Sequence, residues 1–504
     1  MTTRKLSFLA IAVVLLASCT MIPEYKQPEA PVPANWPNGP AYKETLSTQN
    51  APLASELSWR EFFTDPRLQT TIEMALENNR NLRVSVLNVE RARALYRIQR
   101  AEVLPTVDGS GGAIRQRVPA QISNSGSAAN VEQYRLDLGV SSWEIDFFGR
   151  IRSLEKRALE EYLATEQARR SAQILLIAET ANAYLTLAAD RENLQLAQST
   201  LEAQRSSYNL IRYRRDVGLT SDLDLSQAQT RVDAARVDVA RYTELIAQDE
   251  NALNLLVGAP VPNELTPGEL SSIASLPDVS PGISSETLLS RPDILQAESL
   301  LKAADANIGA ARAAFFPRIS LTTAIGTASD DLLGLFKSGS YAWNYSPQFV
   351  LPIFDARLWS ALKATKVERE IAVAQYQGAI QVAFREVADA LAGKGTLGNQ
   401  MEAQQSLVAA NEEAYRLSNA RYEKGTDIYL NVLDAQRSLY AAQQGLIAIR
   451  LAMLANQVQL YAVLGGGADS ITPSQSETTM REPVKNVEPA SPSAQNIGED
   501  QHSL

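Results

Sequence analysis

The chain is poor in the residues that carry out chemistry. Its 504 residues include one histidine, His502, and one cysteine, Cys19. A Ser–His–Asp triad or a histidine-built metal site needs a well-placed imidazole, and a single one in a polar tail does not supply it. One cysteine excludes a disulfide framework, an iron–sulfur cluster and a cysteine-rich zinc site. No Walker loop and no dinucleotide-binding glycine pattern is present. Acids outnumber bases, 57 Asp and Glu against 47 Lys and Arg, for a formal net charge of −10. A basic surface for nucleic-acid phosphate is therefore missing, and no nucleic-acid partner is expected. Glycosidase-like carboxylate pairs would arise by chance on such acid-rich segments. The chain reads as a non-enzyme, with no catalytic, cofactor-binding or metal-binding residue.

Also missing is any run of eighteen uninterrupted apolar residues, so a membrane-spanning helix is not expected. What the N-terminus has instead is a secretion signal over residues 1–18. Arg4 and Lys5 precede a ten-residue apolar run, too short to span a bilayer, that ends in Leu16-Ala17-Ser18-Cys19. This is a bacterial lipobox: cleavage exposes Cys19, and its thiol takes a lipid. Thr20 stands where an inner-membrane retention aspartate would be, which favours the outer membrane. Seven prolines between residues 20 and 52 make residues 19–58 an extended strap. Residues 466–504, opened by a glycine run and rich in Ser, Pro, Glu and Gln, read as a disordered tail.

Proline is absent from residues 121–259 and 353–472, and glycine from residues 150–217. Ile174, Ile177, Ala181, Tyr184, Leu185 and Ala188 recur at helical spacing. A helix over residues 150–217 would be about 100 Å long. Gly218 breaks it, and residues 222–256 resume the pattern as a shorter arm. A helix near residues 81–103 could restore the missing length by stacking end to end on that arm. The second half repeats the first. A shift of 207 positions lays residues 208–258 on 415–465 without a gap. Tyr208, Arg214, Gly218, Leu223, Ala228, Gln229 and Gly258 then meet identical residues. The expected segments are helices over 59–104, a hairpin over 105–146, a long helical hairpin over 147–259 and a connector over 260–290. A second helix over 291–316, a second hairpin over 317–353 and a second long helical hairpin over 354–465 follow.

The non-helical inserts alternate in character. Tyr341, Trp343, Tyr345, Phe349, Leu351 and Ile353 share one face, against Ala342, Asn344, Ser346 and Gln348. Ile319, Leu321, Thr323 and Ile325, and in the first half Tyr134, Leu136, Leu138 and Val140, behave alike. Segments of this length, apolar on one face with aromatics near an end, suit transmembrane β-strands. Four strands cannot close a barrel, and an open edge in lipid leaves backbone groups unpaired. Closure therefore needs two or more protomers, and three would give twelve strands.

These residues resemble the TolC-like outer-membrane factors of tripartite efflux pumps, in particular the OprM-type lipoprotein branch. The resemblance covers essentially residues 19–467. It rests on Ser58-Trp59-Arg60-Glu61-Phe62-Phe63, Trp143-Glu144-Ile145-Asp146-Phe147-Phe148-Gly149-Arg150, Arg291-Pro292-Asp293-Ile294-Leu295, Ile308-Gly309-Ala310-Ala311-Arg312-Ala313-Ala314-Phe315-Phe316-Pro317 and Leu433-Asp434-Ala435-Gln436-Arg437-Ser438-Leu439. It implies a mixed α and β membrane protein: a homotrimer with one shared twelve-stranded outer-membrane β-barrel, continued by a long periplasmic α-helical barrel. The implied function is a passive exit channel for drugs or other small molecules, closed at its periplasmic end until a periplasmic adaptor (membrane fusion) protein and an inner-membrane RND-type pump dock. A type I-like secretion duct, or a non-conducting structural lipoprotein, are the alternatives.

The resemblance also points to a gate. Asp427, Leu430, Asn431 and Asp434 share one helical face, and in the resembling lipoproteins the matches of Leu430 and Asp434 form an apolar and an acidic ring. Related channels carry an arginine where Asp427 stands and an aspartate where Asn431 stands, which favours a constriction of leucine and a single acid. Asp224 is a secondary gate candidate. Read on their own, Asp427 caps a helix, Asp434 is a solvated charge, and Ser221 with Asp224 forms a capping box. The turns Val217-Gly218-Leu219 and Lys424-Gly425-Thr426 match the tips that the family presents to adaptor hairpins.

Overall fold

A computed structural model describes residues 20–42, 51–54, 56–123, 126–273, 275–282 and 284–468. The signal segment, the lipidation site Cys19 and residues 469–504 lie outside the described residues. The chain forms helices α1 (Trp59–Phe62), α2 (Pro66–Asn78) and α3 (Arg80–Ala101), strands β1 (Val107–Val118) and β2 (Ala129–Glu144), and helices α4 (Arg150–Asp216) and α5 (Asp222–Val257). After short 3-10 turns come α6 (Pro292–Ala313), β3 (Arg318–Ser329), β4 (Tyr341–Val350), α7 (Ala356–Glu423) and α8 (Tyr429–Val463).

The duplication is visible in the lengths. Helices α3 and α6 have 22 residues each, α4 and α7 have 67 and 68, and α5 and α8 have 36 and 35. At about 1.5 Å per residue the long helices are rods of about 100 Å.

The shorter arms are lengthened by stacking. Asn79 caps α3 by accepting from Leu82 N at 2.9 Å, and its amide donates to Leu256 O near the end of α5 at 2.7 Å. Gly258, at φ 75°, makes this approach possible, since a Cβ there would lie 2.5 Å from Asn78 O. The second half solves the same problem with charge. The Arg291 guanidinium, flanked by Asp293 and Glu386 at 2.8 and 2.9 Å, donates to Val463 O, the last residue of α8. Thus α3 continues α5, and α6 continues α8.

The main core lies where these stacked ends meet the long helices. Trp59, Phe62, Phe63, Tyr184, Leu187, Tyr376 and Tyr461 are fully buried there. Phe62 stacks on Tyr461 at 4.1 Å, whose hydroxyl donates to Leu57 O. Helices α4 and α8 contain stretches apolar enough to cross a membrane by composition, but two-thirds of the α4 stretch is packed inside the molecule. The strap follows this scaffold: Arg312 near the end of α6 donates to Met21 O, Gln27 to the Tyr376 hydroxyl, and Ser285 to Pro33 O.

The strands form one antiparallel sheet in the order β1-β2-β3-β4. Its register sets Leu138 opposite Ile325 and Ile325 opposite Trp343, so the expected apolar residues share a face. The other face carries Asp137, Ser320, Asn344, Ser346 and Gln348. Gly139 and Gly326 lie on this polar face. A Cβ at either would meet the neighbouring strand's backbone, at 2.5 Å from Thr323 O and 2.1 Å from Leu136 O. Glycine thus lets the sheet bend toward its polar side.

Candidate functional site

Two features of the chain are unfinished: the far tips of the helical hairpins and the lateral edges of the whole molecule.

At the first tip, Gly218 takes φ 77° and ends α4. Its N–H donates to Arg215 O at 2.9 Å, and Leu219 N–H to Arg214 O at 2.8 Å. Ser221 then starts α5 with a capping box: Asp224 N donates to Ser221 Oγ, and Ser221 N donates to Asp224 Oδ2, both at 3.1 Å. The Thr220 hydroxyl adds a bond to the same oxygen at 2.7 Å. This bond, with those from Ser221, holds the Asp224 carboxyl below the usual carboxylate range. The capping box read for Ser221 and Asp224 is formed.

At the second tip, Gly425 takes φ 69° and ends α7, with Thr426 N–H donating to Arg421 O at 3.0 Å. Asp427 folds over the start of α8. It accepts from Ile428 N at 2.9 Å, Arg421 Nε at 3.1 Å and Asn431 Nδ2 at 2.6 Å. The backbone bond, then Arg421 and Asn431, hold its carboxyl below the ordinary range. Asp427 and Asn431 are therefore bonded to each other and to their own turn. Leu430 is 50% exposed, and Asp434 is exposed one turn further on.

Arg437, three residues on, donates to the exposed Asp434 carboxylate, so the acid beside Leu430 carries a basic partner on its own helix. The signal is present in the sequence as a three-residue spacing on a helix. Sequence reasoning also misses Arg421 and Thr220; their partners lie across a turn, where periodicity gives no guide.

The two tips sit side by side. The buried face of α8, Tyr429, Val432 and Leu433, packs on Ile211 of α4 and Ala228 of α5. Burial pushes the Tyr429 phenol up to about 12. Gln204 donates to Gln436 at 3.1 Å and Gln444 to the Tyr242 hydroxyl at 3.0 Å, tying the hairpins together further from the tips. Val217, Leu219, Leu223 and Ile428 are each more than half exposed.

The edges are equally exposed. Among the described residues, strands β1 and β4 each have one side without a partner strand. The helices next to the sheet pack in the order α3-α4-α6-α7. Because α3 runs into β1 and β4 into α7, the open edges of both layers coincide. One edge presents Val84, Leu87, Leu95 and Ile98 of α3, and the other Trp359, Val367 and Ile371 of α7, all exposed. An edge that offers unpaired backbone and an apolar stripe together is built to be covered.

Comparison with known proteins settles what kind of molecule has this shape. Residues 71–259 and 283–466 match the outer membrane efflux protein family, one segment for each half of the duplication. The chain belongs to that family. It is 50% identical over 467 residues to the probable efflux pump outer membrane protein TtgC of Pseudomonas putida, covering 92% of this chain and 96% of that one. It is similar in structure to a membrane protein from Pseudomonas aeruginosa, with a TM-score of 0.85 and 40% identity over 90% of this chain and 99% of the other. The open state of the Neisseria gonorrhoeae MtrE outer membrane channel superposes with a TM-score of 0.79 and 37% identity, covering 90% of this chain and all of that one. The expected mixed α and β channel fold, the outer-membrane location and the role of efflux exit channel stand.

Proposed function

We propose that three copies of this chain close into one passive duct, with the β4–α7 edge of each seated on the β1–α3 edge of the next. The coincidence of the two open edges carries this reading. A head-to-tail contact of this kind generates a ring, and three four-stranded sheets make a twelve-stranded barrel with its apolar face to lipid. The polar face, with Asp137, Asn344, Ser346 and Gln348, then lines the lumen.

The far end of the duct is held shut by α8. Leu430 from each protomer forms an apolar ring, and the Asp434–Arg437 pairs form a charged ring one turn above it. A ring of carboxylates near an axis would favour cations, and Arg437 moderates that preference. The turns at Val217, Gly218 and Leu219 and at Lys424, Gly425 and Thr426 are where a periplasmic adaptor docks, coupling the duct to an inner-membrane pump of the RND type. Asp224, Asp427 and Asn431 keep the tips in shape for that contact. Cys19 carries a lipid, and Met21, two residues on, accepts from Arg312 near the end of α6. The chain needs no cofactor and performs no catalysis: it supplies a path, and the pump supplies the energy.

Single-channel recording of the purified, lipidated protein tests this. Discrete, ion-conducting openings from detergent-stable trimers are expected. A protein that assembles but never conducts would be a structural spacer instead.

A further inference from the structure

Where the strands give way to helices, the polar face of the sheet changes character. Glu144, the last residue of β2, accepts from Nε and Nη2 of Arg150 at 2.8 Å each, and Nε of Arg318 lies 3.2 Å from the same carboxylate. Two guanidinium groups on one carboxylate leave one positive charge in excess. Arg150 is largely covered, whereas the Arg318 side chain is 59% exposed, and its two Nη groups have no protein partner among the described residues. Of the other acids nearby, Arg357 holds Asp355 at 2.7 Å and Arg152 holds Asp146 at 3.3 Å, and Glu102 also acts on the covered Arg150 rather than on Arg318.

Beside this excess charge is an aromatic wall. Phe148 and Phe316 stack at 4.9 Å between centroids, and Phe316 keeps 40% of its surface exposed. With Val350 and Pro352 across from them they bound a recess of about 560 Å³. That volume suits a small organic molecule.

We propose that this recess, framed by Arg318 and the Phe148–Phe316 stack, is a binding site for anionic aromatic compounds inside the duct. It rests on the reading above that the polar face of the sheet lines a lumen. A carboxylate or sulfonate accepts from the unused Nη groups of Arg318 in a charge-assisted, two-pronged contact. Its aryl body lies against Phe316, extending the stack. Cations are repelled by the excess positive charge, and neutral aromatics gain the wall without the ion pair. The duct therefore has a holding point at the barrel–helix junction that sorts its contents by charge.

The test uses naphthalene-2-sulfonate and its neutral counterpart, naphthalene-2-methanol, on the full lipidated protein. Binding is read by isothermal titration in detergent, and block of the single-channel current by addition from the side of the barrel mouth. The sulfonate is expected to bind about ten-fold more tightly than the alcohol. Arg318→Gln should abolish that preference while leaving the alcohol unchanged, Arg318→Lys should keep only part of it because it loses the two-pronged contact, and Phe316→Ala should weaken both compounds. Equal binding of the two compounds by the wild type, or a sulfonate preference that survives Arg318→Gln, would overturn the proposal. If the preference is present by titration but the protein does not conduct, the duct fails and the recess stands. If the protein conducts without the preference, the recess alone fails.

Discussion

The two helical tips descend from one duplicated unit, and they keep the same shape with opposite chemistry. Under the shift of 207 residues Thr220 meets Asp427 and Asp224 meets Asn431. In the first tip the acid comes second, and the hydroxyl of Thr220 donates back to it at 2.7 Å. In the second tip the acid comes first, and the amide of Asn431 donates to it at 2.6 Å. Both arrangements close a bond across one helical turn and fix the helix start. The difference lies one turn further on, where the first tip has Gln227 and the second has Asp434 with Arg437. The second tip thus carries an acid–base pair one turn beyond its cap, where the first has a neutral glutamine. Under the proposed function, that difference assigns the gate to the second copy.

The largest way to break this symmetry is at the turns. Gly218→Val and Gly425→Val each force a branched residue to positive φ, at a cost of about 1–3 kcal/mol, and place bulk on the proposed docking surface. Export should be lost in both, with trimers still present on non-denaturing gels; undiminished export would remove the tips from the docking surface.

Next in size is the asymmetry itself. Leu430→Ala and Asp434→Asn are expected to raise single-channel conductance several-fold and to lower cation preference, respectively. Leu223→Ala and Gln227→Ala, the matching changes in the first tip, should alter neither. Equal effects from both tips would show that the gate is shared.

A smaller effect is expected from the caps. Ser221→Ala removes the capping box and should destabilise the first turn of α5 by about 1 kcal/mol, seen as faster amide exchange there. Ile428, which caps α8 without a side-chain bond, should tolerate Ala.

The smallest effect is on acidification. Asp224 and Asp427 have carboxyl pKa values lowered in the folded state. Their contribution is complete above the unfolded value near 3.9, and is lost as pH falls through the lower folded value. Amide exchange at both tips, corrected for its intrinsic rate, should rise only below about pH 4. Asp427→Asn should remove this dependence from the second tip alone.

Much of the architecture is legible in the residues alone. The uninterrupted rods follow from missing proline, joined in the first by missing glycine, the sheet faces from strict alternation, and the duplication from Gly218 and Gly425 in register. The stacking of α3 on α5 follows from unequal arm lengths, but the roles of Asn79 and Gly258, which make it possible, do not. They act across 177 residues of sequence, where periodicity is silent. The same holds for Arg437, whose spacing is visible but whose choice of Asp434 is not. The recess at the junction joins β2, β3 and β4 with the ends of α4, α6 and α7, so no single segment reveals it. Local patterns specify elements; sites assembled from several elements emerge only once those elements are in place.

The central claim is that the paired open edges close on copies of the same chain. Single-particle imaging of the detergent-purified, lipidated protein tests it most directly. A hollow three-fold particle is expected, with a barrel at one end and a helical tunnel of about 100 Å below it. Each β4–α7 edge should lie against the next protomer's β1–α3 edge. A solid helical rod, or a particle whose sheets remain open, would contradict it.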